Sequence, residues 1–191
     1  MEVQIGSSIL ALAQGDITKL PVDAMGNAAN SQLGGGGGVD GAIHRAGGPS
    51  ILRELDQIRA RTGGCPTGSA VVTSAGNLPA RFVLHAVGPV YRDGRHGEPE
   101  LLAACYRTCL ELAEQRGCQT VSFPSISTGV YGYPVEEAAE VAIGSICEFL
   151  RRPGCSIQRV TLVLFGAEAF ETHRRTLERL APQAGGCATQ K

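Results

Sequence analysis

Apolar residues fall in short runs separated by polar and glycine-rich stretches. Seven of these runs have strand length and are rich in Val, Ile, Leu or Ala: 3–5, 9–13, 24–28, 70–73, 82–86, 120–123 and 160–165. Between them the apolar period changes to that of a helix. "VDGAIHRAGG" reads as a short helix closed by Gly47-Gly48, and "PSILRELDQIRART" follows with a proline at its start. "EPELLAACYRTCLELAEQRG" places Leu101, Leu102, Cys105, Cys109 and Leu112 on one stripe. "PVEEAAEVAIGSICEFLRR" predicts a helix with Pro134 at its first position and Val135, Ala138, Ala142, Ile146 and Phe149 on its core face. A last helix runs from about Ala167 to Leu180. Strands alternating with helices argue for an α/β layer architecture. No internal repeat or linker interrupts the pattern, which predicts one domain over 1–182 and a frayed tail over 183–191.

Composition narrows this picture. The chain has 191 residues, 43% of them hydrophobic, enough for a full core. No apolar run reaches transmembrane length, and the N-terminus lacks a basic n-region, so a cytoplasmic protein without membrane contact is expected. A formal net charge of −1 gives no general field for nucleic acid. The seven cysteines are odd in number and contain no C-x-x-C. They read as structural thiols of a reducing compartment, with no ligand spacing for zinc.

Candidate chemistry centres on "NAANSQLGGGGGVDGAIHRAGG", where five glycines run from Gly34 to Gly38 and a carboxylate, Asp40, follows. Glycine backbone at a helix N-terminus suits phosphate: amides converge, no Cβ blocks approach, and the helix dipole favours negative charge. A P-loop fails for want of a Lys-Ser or Lys-Thr pair. Residues 36–41 fit G-x-G-x-x-G, but "NSQL" intervenes after the strand and Asp40 inside the pattern would repel pyrophosphate. A ligand-free surface loop predicts no second amide-rich element, yet "SISTGVYGYP" supplies one after the run "VSFP". There Ser127, Thr128, Gly129, Val130 and Tyr131 present another row of amides at a strand end, where open α/β sheets bind ligands. A third loop, "LAQGDIT", carries Asp16, either a cap for the following turn with Thr18 or an acceptor for an exocyclic amine.

Taken together, "GDIT", "NAANSQLGGGGGVDGAIHRAGG", "CPTGSAVVTSAGNLPARFVLHAVGP" and "FPSISTGVYGYP" resemble the macrodomain family. The similarity is greatest to its MacroD-type branch, which includes bacterial O-acetyl-ADP-ribose deacetylases, and it spans about residues 3–180. It implies a three-layer α/β/α sandwich with a central mixed sheet and an ADP-ribose cleft at its strand ends. By that resemblance Asp16 holds the adenine amine with the Ile17 amide beside it, and Phe165 stacks on adenine, against the alternative of a buried core residue. Ser127, Thr128, Gly129, Val130 and Tyr131 wrap the diphosphate, while Gly37, Gly38 and Val39 line the other side. Asn30 bonds the distal ribose and Asp40 stands near its C1″. Asn27 is structural, tying the loop to the sheet. The resemblance gives His44 no chemical role, and His85 reads as a strand residue. Two departures from the family text, Gly26 before "NAAN" and Gly34 where leucine is common, bear on affinity more than on activity.

The implied reaction is hydrolysis of an ester on ADP-ribose, in O-acetyl-ADP-ribose or in proteins mono-ADP-ribosylated on Asp or Glu. Asp40 and Asn30 would position and polarise a water, with neither metal nor cofactor. A free Asp has a pKa of about 3.9 and is ionised but weakly basic at neutral pH. A dipole-favoured helix-start carboxylate, worth about 0.3–1 kcal/mol, is the plain alternative for Asp40. Alternative functions are a reader that binds ADP-ribose without turnover and a regulator of an RNA-processing nuclease. The resemblance implies a monomer.

Overall fold

The structure, a computed structural model, describes residues 1–181. The tail expected to fray over 183–191 lies outside the described residues. Seven strands, β1 (Glu2–Ile5), β2 (Ser8–Gln14), β3 (Ala24–Ala29), β4 (Ala70–Ser74), β5 (Phe82–Val87), β6 (Thr120–Phe123) and β7 (Arg159–Leu164), form one sheet. Their order is β1-β2-β7-β6-β3-β5-β4. The five inner strands pair in parallel, whereas β1 on β2 and β4 on β5 are antiparallel. Each expected strand is present to within one or two residues, and the sheet is mixed, as the resemblance implies. β7 ends at Leu164, so Phe165 stands just beyond the sheet rather than inside it.

Side chains alternate across the sheet and divide the core in two. Ala24, Leu84, Leu162 and Leu164 face one cluster with α3 (Glu98–Gln115), α4 (Val135–Leu150) and α5 (Ala167–Leu180). Met25, Val83 and Val163 face a smaller cluster with α1 (Gly38–Gly47), α2 (Pro49–Thr62) and a single 3₁₀ turn at Ile17–Lys19. This is the three-layer sandwich. Full burial of one Leu or Ile side chain contributes about 1.5–3 kcal/mol, and both clusters contain several.

The buried stripe of α3 is Leu102, Cys105, Tyr106, Cys109, Leu110 and Ala113, with Leu101 and Leu112 only half-buried. The expected stripe is thus rotated about the helix axis, because Tyr106 takes the core position and packs edge-on against Phe123. Pro134 caps α4 instead of opening it: its ψ of 128° is extended and its carbonyl accepts the first helical bond from Ala138. The six cysteines among the described residues are free and buried or half-buried. Burial raises the thiol of Cys105 to about 12, in keeping with an inert core residue.

Gly26, read in the sequence as a departure, has a packing reason. A Cβ there would stand inside van der Waals contact of the Phe123 ring and 2.9 Å from Ser122 O. Phe123 fills the space that a larger residue on β3 would take. Gly34 is exposed, with Arg59 Nη1 3.8 Å from where its Cβ would lie. No helix among the described residues is long and apolar enough to cross a membrane.

Candidate functional site

Four neighbouring parallel strands, β2, β7, β6 and β3, end on one edge of the sheet. The chain leaving them supplies, in that order, Asp16, Phe165, the loop Ser125–Tyr131 and the segment from Asn30 to Asp40. A cleft of about 390 Å³ opens between the last two. Its one wall is Asn30, Gly36, Gly37, Gly38, Val39 and Asp40; the other is Ser125, Ile126, Ser127, Gly129, Val130 and Tyr131. Ala28, Ala29 and Gly88, at or next to the ends of β3 and β5, form its floor.

The first wall is shaped by Asn30. Its Nδ2–H donates to Gly35 O at 2.9 Å and its Oδ1 accepts from Gly34 N–H at 3.4 Å, so the side chain folds the glycine run over itself. Gly38 opens α1 with a φ of +56°, where any other residue is strained. Gly36 is closely approached: a Cβ there would lie 3.2 Å from Asp40 Oδ2 and 3.8 Å from Asn30 Nδ2. Asp40 Oδ2 and Asn30 thus meet around one bare backbone position.

The second wall turns on Ser127, a buried non-glycine residue at φ +67°. Such backbone is uncommon and persists where its surroundings fix it. Tyr133 N–H donates to Ser127 O and Gly132 N–H to Gly129 O, both at 3.0 Å. Among the described residues the N–H groups of Thr128, Gly129, Val130 and Tyr131 find no protein acceptor, and neither does the buried Ser127 Oγ. A row of amides with the N-terminus of α1 opposite is electrostatically suited to an anion.

Asp40 is 5% exposed. Its Oδ1 accepts from Asn27 Nδ2–H at 2.7 Å and lies 3.3 Å from His44 Nε2. Asn27 Nδ2 is also 3.0 Å from Nδ1 of His85, its register partner on β5, and His85 Nε2 is 2.9 Å from Thr73 Oγ1 on β4. Burial, with the charge of His44 second, lowers the His85 pKa to about 3. An unfolded His takes a proton near pH 6.5 that the folded ring refuses, so stability is full above 6.5 and declines as pH falls toward 3. Wild type should lose about 2 kcal/mol from this group between pH 7 and pH 5. His173, also lowered by burial, acts in the same sense. Urea midpoints at the two pH values, compared with those of His85→Gln, measure the His85 share as the part that the substitution removes.

Of the residues singled out in the sequence, Asn30, Gly37, Gly38, Val39, Asp40, Ser127, Gly129, Val130 and Tyr131 all line the cleft. Asp16, Ile17, Thr128 and Phe165 do not. Asp16 Oδ1 accepts from Thr18 Oγ1 at 2.7 Å and Thr18 N–H at 2.9 Å, the capping alternative, and the Thr18 side-chain hydrogen bond first of all lowers its pKa. Ile17 is buried under the 3₁₀ turn. Thr128 turns its hydroxyl to Ser125 O at 2.9 Å. Phe165 is 87% exposed, which rules out the core alternative and leaves an aromatic face beside Asp16 on the same sheet edge. The sequence reading weighed Gly36 only as part of the glycine run, passed over Gly88, and placed His85 on a strand, as it is, without its bonds to Asn27 and Thr73. "HAVGP" held the signal for the last two, a polar residue and a glycine bracketing the end of an apolar strand. It also missed Asp93, His96 and Glu98, whose ligand atoms lie within 4.8 Å of one another. Glu98 there accepts backbone N–H bonds from Arg92, Asp93 and His96, and Asp93 accepts one from Arg95, so the cluster closes its own loop.

Residues 26–142 match the model of the family described as Macro domain. The O-acetyl-ADP-ribose deacetylase 1 of Pantoea vagans is 52% identical over 168 residues, which cover 88% of this chain and 98% of that protein. A macrodomain of Oceanobacillus iheyensis solved with ADP is 43% identical, with a TM-score of 0.90 over 94% of this chain and 95% of the other. A macrodomain of Trypanosoma brucei in complex with ADP-ribose is 42% identical, with a TM-score of 0.80 over 88% and 68% of the two chains.

Proposed function

Because the chain belongs to the Macro domain family, we propose that its cleft binds ADP-ribose and that the Asp40 end hydrolyses the acyl ester of O-acetyl-ADP-ribose. The observation that carries this reading is the pairing of two amide-presenting loops across one cleft with a buried carboxylate at one end. Diphosphate between the loops would take N–H bonds from 128–131 and the field of α1. Adenine would extend toward β2 and β7, with Asp16 accepting its amine, the Ile17 amide beside it and Phe165 against its face. The distal ribose would then lie between Asn30 and Asp40.

In that pose Asp40 Oδ2 accepts a proton from a water as the water oxygen attacks the ester carbonyl. The tetrahedral adduct collapses with cleavage of the bond to the ribose oxygen, which takes the proton back from Asp40 and restores the carboxylate, and the acetic acid released ionises to acetate. A positioned base contributes about 10²–10⁴-fold, and orientation in the closed cleft contributes further. Asn30 holds the glycine wall and the ribose. The same chemistry serves an ester between ADP-ribose and a protein Asp or Glu, and we extend the proposal to mono-ADP-ribosylated proteins. We read the protein as a monomeric single domain of the cytoplasm that acts without cofactor or nucleic acid.

Calorimetry with ADP-ribose, ADP and AMP tests the binding pose. Affinity should rise with each added unit; equal affinity for AMP and ADP-ribose would contradict a site that reads diphosphate and distal ribose. For the protein substrate, wild type is incubated with a protein carrying one ester-linked ADP-ribose. Release supports the extension, and an intact conjugate beside a hydrolysed small ester removes it.

A further inference from the structure

We propose that His85 is a positioning residue for Asp40, acting through Asn27; this rests on the hydrolase reading above. The hydrogen bonds run in one direction only. Asn27 Nδ2 donates to the Asp40 carboxylate and so also donates to His85 Nδ1, which leaves the proton of the neutral ring on Nε2, 2.9 Å from Thr73 Oγ1, with Ser74 O at 2.8 Å as acceptor for the Thr73 hydroxyl. The ring proton therefore sits on Nε2, and Nδ1 is a lone pair that accepts from Asn27 Nδ2 at 3.0 Å. The second hydrogen of that amide goes to Asp40 Oδ1 at 2.7 Å. Both protons of one NH₂ group are thereby assigned, which fixes the plane of the amide and through it the carboxylate. Oδ1 is held by Asn27 and faces His44, and Oδ2 is turned toward the bare backbone of Gly36 in the cleft.

A second observation shows that this orientation is imposed. Asn27 Oδ1 is buried without a partner among the described residues, an arrangement that ordinarily costs free energy. Rotating the amide by 180° would place that oxygen against the Asp40 carboxylate, itself an acceptor. His85 lies wholly buried and is not among the residues that line the cleft, so its hydrogen-bonded route to Asp40 runs through Asn27, with the His44 ring, 6.2 Å away, as its other neighbour toward that carboxylate.

Two variants separate positioning from packing. His85→Phe keeps the ring and removes the acceptor; His85→Gln restores an acceptor and a donor. The expected result is a kcat on O-acetyl-ADP-ribose at least about tenfold lower in His85→Phe, ADP-ribose Kd within about threefold, and most of kcat recovered in His85→Gln. A folded His85→Phe with kcat within twofold of wild type, or equal losses in kcat and affinity, would overturn the proposal. Nitrogen NMR of the His85 ring and a crystal structure of His85→Phe decide it without turnover. A proton on Nδ1, or an Asp40 carboxylate unmoved in the variant, sinks the idea. A neutral Nε2–H ring and a displaced carboxylate in a protein that hydrolyses no ester would uphold the positioning and reject the hydrolase reading instead.

Discussion

Asp40→Ala is expected to lower turnover of O-acetyl-ADP-ribose by at least about 100-fold while ADP-ribose affinity stays within about tenfold of wild type. The loss follows from removing the one carboxylate that lines the cleft among the described residues, whose Oδ2 is turned toward the backbone of Gly36. Affinity should hold because the backbone amides of 128–131 and of the first turn of α1 are untouched. Stability should fall by about 1–3 kcal/mol, since Asn27 N–H loses its buried acceptor. Asp40→Asn separates the two effects. Its amide oxygen can accept from Asn27, but it is no base, so turnover should drop as far with a smaller change in the urea midpoint. If Asp40 were only a dipole-favoured residue at the start of α1, worth about 0.3–1 kcal/mol, Asp40→Asn would keep near wild-type kcat.

Gly88→Ala should weaken ADP-ribose binding by at least about tenfold, read by calorimetry. A Cβ on Gly88 would stand 2.6 Å from Ile126 Cγ2 and inside contact of Ser127 Oγ. Side-chain carbons do not approach that closely, so the second wall must move, and Ser127 is already held at φ +67°. A displacement there misaligns four amides at once. The double variant Gly88→Ala/Ser127→Gly removes the hydroxyl and places at 127 the residue that tolerates positive φ. It should recover part of the affinity. Undiminished binding by Gly88→Ala would show that the diphosphate does not rely on this loop.

Local features of the site were legible in the sequence because each is written in consecutive residues. The glycine run with Asp40, and the loop from Ser127 to Tyr131, both follow apolar strands, and adjacent parallel strands carry them to one edge. What was not legible depends on register and packing between distant segments. His85 reads as one more residue of an apolar strand until β3 and β5 pair and set it opposite Asn27. Gly88 is marked locally only as a glycine at the end of an apolar strand; its importance arises where Ser127, 39 residues on, closes over it. The rotation of the α3 stripe has the same origin, since Tyr106 is amphipathic in sequence and becomes a core residue only against Phe123. Asp16 shows the limit from the other side. Its capping bond to Thr18 was readable, and only the parallel pairing of β2 with β7 brings the chain at Asp16 to the sheet edge where Phe165 also emerges.

The most direct measurement is hydrolysis of O-acetyl-ADP-ribose by the wild-type protein, followed as the paired appearance of acetate and ADP-ribose. Many turnovers per protein molecule, yielding the two products in equal amounts, are predicted. Tight binding of the ester with no acetate above the buffer blank would contradict the account and leave the cleft as a site that reads ADP-ribose without acting on it.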